Sequence, residues 1–174
     1  MRALATVTFV YETREDRILA ALNAGRADAW SCWLTRRVAL ALLERATEFL
    51  ASTSALAQRV PADLRSESIA FEREAAIAKT AGAMSTTPPD VLKANVTQAG
   101  LAERLSISQH GDRFRLEVHG QGNEGAAGLL TRAELQRILQ MLQAQAAKAG
   151  WLGAPSKPQA TAATTTPDAK PIRH

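Results

Sequence analysis

The chain is poor in the residues that usually announce a chemistry. It holds one cysteine, Cys32, in 174 residues, so no intrachain disulfide can form and no tetrahedral zinc set of the usual spacing can be composed. Aromatic residues make up 5% of the sequence, leaving few rings for a base to stack on. No apolar run approaches the roughly 18 residues that a membrane span needs, so no membrane association is expected. Met1-Arg2-Ala3-Leu4 leads straight into alternating apolar and polar residues and reads as neither a signal nor a transit peptide. The expected setting is therefore reducing and cytoplasmic. G-x-S-x-G, P-loop, H-E-x-x-H and EF-hand spacings are all missing. No catalytic residue, cofactor or metal is assigned, and an enzyme is the least favoured class.

Charge of one sign is also scarce where it would matter. The formal net charge is +4 and the pI about 9.7. Most of that excess sits from Lys148 onward, where Lys157, Lys170 and Arg173 face Asp168 alone. A phosphate-tracking surface needs clustered Lys and Arg, and the linear sequence shows no such block in its body.

What the chain does have is a near-repeat of itself. Asp16-Arg17 through Leu34-Thr35-Arg36 returns as Asp112-Arg113 through Leu130-Thr131-Arg132, in the same register and without a gap. A repeated unit of this kind marks one supersecondary block used twice. In the first copy, period-2 alternation predicts strands over Leu4–Tyr11, Arg17–Asn23 and Ala29–Leu34. Thr35 follows as a helix N-cap, and the apolar stripe of Val38, Ala39, Leu42, Leu43, Ala46, Phe49 and Leu50 carries the helix to about Leu50. In the second copy, strands are expected over Leu101–Ser108, Arg113–His119 and Ala126–Leu130. Thr131 and Glu134 then form a capping box, and Leu135, Ile138, Leu139, Leu142 and Ala146 form the buried stripe. The fold class is α+β: two β-β-β-α units form a pseudo-dimer with antiparallel sheet and helices packed on one side. The first unit spans 1–52 and the second 99–150. Between them, 53–98 is a helical connector broken by Pro61, with a helix over Ser66–Ala83, a loop over Ser85–Asp90, and a strand or helical turn over Val91–Val96. Residues 151–174 are rich in Pro, Ala and Thr and are expected to be disordered.

Gly120-x-Gly122-x-x-Gly125 matches the dinucleotide fingerprint in letters. It lacks the helix directly behind it and the acidic residue about twenty positions on, so a flexible β-turn is the better reading. His110 and His119 flank one strand as surface histidines. Cys32, without a His neighbour to activate it, reads as a small core residue.

Trp30 and Trp33 differ by three positions on a strand and so point to opposite faces. If helices cover one face, one ring lies on the other. There it meets a protein partner, a base, the middle segment or another subunit. Leu40 lies on the polar side of its helix and points the same way. Arg36 and Arg132 occupy the same first-turn place, which the helix dipole disfavours for a cation. Either Arg36 and Arg37 pair with Glu15, Asp16 or Asp28, which is the favoured reading, or they frame an anion site with the free helix N–H groups. Trp30, Trp33, Arg36, Arg37, Leu40 and Arg132 are therefore the candidate surface.

The order of antiparallel sheet followed by helix, twice over, resembles in topology the PUR-type and Whirly-type repeats, which bind single-stranded nucleic acid. Those repeats have four strands per helix, where three are legible here. They carry basic and aromatic residues across the sheet, a role open here only to Phe9, Tyr11, Trp30, Trp33 and Phe114. The expected function is a non-enzymatic binding or accessory module with a protein partner or a second copy of itself. Single-stranded nucleic-acid binding through the open sheet face is the alternative.

Overall fold

The computed structural model describes residues 1–80, 92 and 99–153. The expected loop over Ser85–Asp90, the element over Val91–Val96 apart from residue 92, and the disorder from 154 on lie outside the described residues.

Each unit is built from four strands, not three, followed by a helix. The first contains β1 (Arg2–Ala3), β2 (Val7–Glu12), β3 (Arg17–Leu22), β4 (Trp30–Leu34) and α1 (Arg36–Ser52). The second contains β5 (Gly100–Leu101), β6 (Arg104–His110), β7 (Arg113–His119), β8 (Gly125–Leu130) and α4 (Arg132–Lys148). Between them stand the short α2 (Ala55–Arg59), a single 3-10 turn at Ala62–Leu64, and α3 (Arg65–Thr80). The repeat is real at the level of elements. α1 and α4 each run 17 residues from a capping threonine. The Thr35 hydroxyl accepts from the Val38 N–H, and Thr131 from the Glu134 N–H inside a full capping box.

The extra strands explain how the units join. β1 does not enter the sheet of its own unit. It pairs in parallel with β8, placing Arg2 opposite Ala126 and Ala3 opposite Ala127. β5 makes the reciprocal pairing with β4, Gly100 opposite Cys32 and Leu101 opposite Trp33. Each exchanged strand is locked by the next residue along: Leu4 N donates to Ala127 O at 2.8 Å and Ala102 N to Trp33 O at 2.9 Å. Two four-stranded sheets result, ordered β1-β8-β7-β6 and β2-β3-β4-β5. The path of β1 requires a bare backbone beneath it, because a Cβ on Gly128 would sit 2.8 Å from both Leu4 Cβ and Leu4 O.

Residues 4–6 leave the expected first strand for a local reason. Asn23 adopts the left-handed region (φ 53°) and is fully buried. Its side-chain oxygen accepts from Ala5 N at 2.9 Å and Thr6 N at 3.1 Å, while its amide donates to Ala3 O at 2.6 Å and Asp28 Oδ2 at 2.8 Å. Asparagine is among the few residues that tolerate this backbone.

The inner faces of both sheets and both long helices make one core. Ile18, Leu22 and Leu34 from the first unit and Leu135 and Leu142 from the second are its largest fully buried apolar side chains. Thus neither unit encloses a core of its own.

The chain beyond α4 is anchored further than expected. Gly150 turns in the left-handed region (φ 68°), Trp151 N returns to Ala146 O at 2.9 Å, and the Trp151 ring is buried. That ring meets Tyr11 edge-on, with centroids 5.8 Å apart, and its N–H donates to Asp16 at 3.1 Å. Residues 151–153 therefore belong to the folded body. Among the described residues no helix is long and apolar enough to cross a membrane.

Candidate functional site

The candidate surface residues separate once the chain is folded. Arg132 points inward. Its guanidinium donates to Leu50 O (2.9 Å), Thr53 O (2.6 Å) and Thr53 Oγ1 (2.8 Å). It also lies 3.6 Å from Glu72 and covers the Phe114 ring at 5.3 Å. A cation at the first turn of α4 thus serves the carbonyl end of α1, where positive charge is favourable. Arg36 and Arg37, at the equivalent place in α1, are exposed. The favoured pairing for them is not made: Glu15 faces Arg17 at 4.0 Å, Asp28 serves Arg26 and Asn23, and Asp16 serves Tyr11 and Trp151. Leu40 is half-buried against the core.

The two tryptophans take different surroundings. Trp30 lies opposite Leu22 on the inner side, at the sheet end, half-buried. Arg2 sits over its ring at 6.0 Å and pairs with Glu124. Gly120 must be glycine here, because a Cβ would fall 2.7 Å from the Trp30 ring. Gly122 takes a left-handed turn (φ 64°) between β7 and β8. Packing and turn geometry therefore account for these two glycines of the G-x-G-x-x-G run. Trp33 lies on the outer side of the first sheet but is only 7% exposed, beside Leu19. Cys32 is enclosed in the core, and burial pushes its thiol up to about 12, away from nucleophilic chemistry at neutral pH.

The outer faces of the two sheets are not alike. On the first, Leu19, Ala21, Ser31 and Trp33 are buried at the centre, and Thr8, Val10, Glu12 and Arg17 are half-buried towards the β2 edge. On the second, the outward positions of β6 are Arg104, Ser106, Ser108 and His110, and those of β7 are Arg113, Arg115, Glu117 and His119. Leu129 of β8 joins them opposite Arg115 and is 51% exposed. This face is open and carries three arginines against one carboxylate. The alternation of β7 (R-F-R-L-E-V-H) displays this division of faces in the sequence itself.

Glu117 organises the centre of this face. It accepts from Arg115 Nε at 2.6 Å and Ser106 Oγ at 3.1 Å and lies 3.2 Å from His119 Nε2. Arg104 in turn reaches His119 at 3.4 Å. The hydrogen bond from Arg115, then those from His119 and Ser106, hold the Glu117 carboxyl down to about 2. Because the folded value lies below the ordinary glutamate value of about 4.3, the network's stabilising effect is present above that value. It is lost as pH falls through about 2. In a carboxyl-carbon NMR titration Glu117 should remain ionised at pH 3, and Arg115→Gln should move its midpoint up towards the ordinary range.

Comparison with family models, curated proteins and solved structures finds no match to this chain.

Proposed function

We propose that this protein is a non-enzymatic binding module whose ligand is another protein, engaged through the open outer face of the second sheet. One observation supports the reading above the others: the asymmetry of the two outer faces, one buried at its centre around Leu19 and Trp33, the other polar, arginine-bearing and more exposed. Arginine beside serine, histidine and one exposed leucine is a combination suited to an acidic protein surface, where guanidinium groups recognise carboxylates in a bidentate manner.

Three arginines on one face also support the alternative, a single-stranded nucleic acid. That reading is the weaker one because its stacking platform is missing from the face. Phe9, Trp33 and Phe114 are buried, and Tyr11 and Trp30 are half-buried against the core. Binding of single strands draws much of its energy from base stacking, about 1–3 kcal/mol per base.

The test pairs two measurements. Immobilised protein is offered a nuclease-treated lysate of its source cells, beside the Arg113→Glu/Arg115→Glu variant. Capture of a defined protein should fall at least tenfold in the variant. Capture indifferent to the reversal would overturn the assignment of this face. Filter binding of labelled oligonucleotides at two salt concentrations is the second arm, and tight, steeply salt-dependent binding would move the function to nucleic acid.

A further inference from the structure

The two units each end a sheet on a long edge strand, β2 in one and β6 in the other. By the register that matches Thr35 to Thr131, Tyr11 corresponds to Ile107 and Gln145 of α4 to Phe49 of α1. These matched places are finished differently. At the β2 edge, Gln145 Oε1 accepts from the Tyr11 N–H at 3.0 Å. The side chain of the covering helix thus takes up an edge amide that another chain would otherwise use.

At the β6 edge an amide is replaced by a ring. Phe49 turns to Phe114, edge-on with centroids 5.8 Å apart, and offers no acceptor to the strand. A groove of about 430 Å³ separates α1 from β6, floored by Val38, Ala41, Phe49, Leu105 and Ile107. The backbone of β6 is aimed into this opening. His110 and Arg113 face each other across a two-residue turn, and in such a hairpin the flanking pair is hydrogen-bonded. By alternation Ser108 and Ser106 also bond to β7, so Leu105, Ile107 and Gln109 direct their N–H and C=O groups off the edge. No strand lies beyond β6 among the described residues.

We infer that the β6 edge takes an extended segment of a partner protein as a fifth strand, with apolar residues alternating with acidic ones. The free ladder selects an extended main chain, and the apolar floor selects alternate apolar side chains. The sign of charge comes from the surroundings. Arg45 and Arg104 line the groove with Glu103, and His110, Arg113 and Arg115 stand on the adjoining face. The same charges disfavour a second copy, whose own β6 would bring Arg104 and His110 against them. They equally disfavour the chain's own C-terminal segment, where Lys157, Lys170 and Arg173 outweigh Asp168.

This inference rests on the protein-binding reading and is tested separately from it. The probe is a phage-displayed random peptide library selected on the full chain. The enriched peptides are then measured by fluorescence anisotropy. Two variants report on the mode. Ile107→Pro removes an N–H that no internal bond uses, a place where an edge strand tolerates proline. Ala41→Arg fills the groove from the half-buried side of α1, and stands alone as the test if the proline variant does not fold. The expected result is enrichment of alternating apolar and acidic segments, with affinity falling at least tenfold in either folded variant. It should fall equally when the peptide amides facing β6 are methylated. Enrichment of helical or basic peptides, or binding indifferent to both variants, would overturn the inference. So would a dimer, seen by light scattering, that Ala41→Arg dissociates. If lysate capture still depends on Arg113 and Arg115 in any of those cases, the open face stands and only the edge strand fails.

Discussion

Replacing Asn23 by alanine should destabilise the protein by about 3–5 kcal/mol in urea unfolding, the largest effect expected of a single polar substitution here. The side chain is fully buried and serves four partners. Its loss takes the partner from the N–H groups of Ala5 and Thr6 and the carbonyl of Ala3, residues that lie at the surface, so each hydrogen bond is counted at its net contribution of about 0.5–1.5 kcal/mol. Alanine at φ 53° adds strain of about 1 kcal/mol. Asn23→Gly separates the two contributions, because glycine accepts the backbone but restores no hydrogen bond. If the glycine variant is as stable as the wild type, the hydrogen bonds are not what holds the segment. The loss should also be visible away from the mutation. Ala3 is paired with Ala127, so hydrogen exchange should accelerate at the Leu4 amide.

The second large effect is expected at Arg132. Arg132→Ala should cost about 2–4 kcal/mol, since hydrogen bonds to charged groups contribute about 1.5–3 kcal/mol. The figure stays below that of a fully enclosed ion pair because Arg132 and Glu72 keep 26% and 20% of their side-chain surface. Without the guanidinium, Leu50 O and Thr53 O lose a donor and the Glu72 carboxylate loses its cation. Glu72 also accepts from Ser54 Oγ at 2.8 Å, so the defect should spread to the start of α2. A double-mutant cycle of Arg132→Ala with Glu72→Gln isolates the ion pair. A coupling near zero would show that Arg132 acts through the two carbonyls and the Phe114 ring alone. Arg36→Ala, at the matched but exposed place, should change stability by no more than about 0.5 kcal/mol.

Much of the frame was legible before folding. The threonine caps and apolar stripes mark where α1 and α4 begin, because capping and amphipathicity are local properties. β7 alternates over its whole length and matches its expected bounds, Arg113–His119. The exchanged strands were not legible. Arg2–Ala3 and Gly100–Leu101 are two residues each, too short for a period, and exist only because a strand distant in sequence receives them. The same cause displaced β6. Its expected start at Leu101 gives way to Arg104 because Leu101 is paired with Trp33 and Ala102 N is taken by Trp33 O. Composition alone places Trp151 with the tail, although Gly150 just after a helix is a usual stop signal.

The candidate surface divides on the same line between local and distant. The outward set Arg113, Arg115, Glu117 and His119 could be read from alternation alone. Which of the two sheets stays open could not, since the alternation of each strand is silent on what covers it. The groove at β6 was hidden more deeply still. It needs the helix of one unit to lie over the edge strand of the other, and nothing near Phe49 in the sequence points to Ile107. In the sequence Arg132 stands out as an unfavourable cation at a helix start. Its true surroundings, the far end of α1, become visible only in three dimensions.

The reciprocal exchange of β1 and β5 sets a timetable for synthesis. Arg2 and Ala3 leave the ribosome long before Ala126 and Ala127, their partners in the ladder. Until then the first half waits with β1 unpaired and its β4 margin uncovered, a state in which chaperone protection matters most. Translation pauses between the halves should lower yield, whereas co-producing the two halves as separate polypeptides should let them find each other.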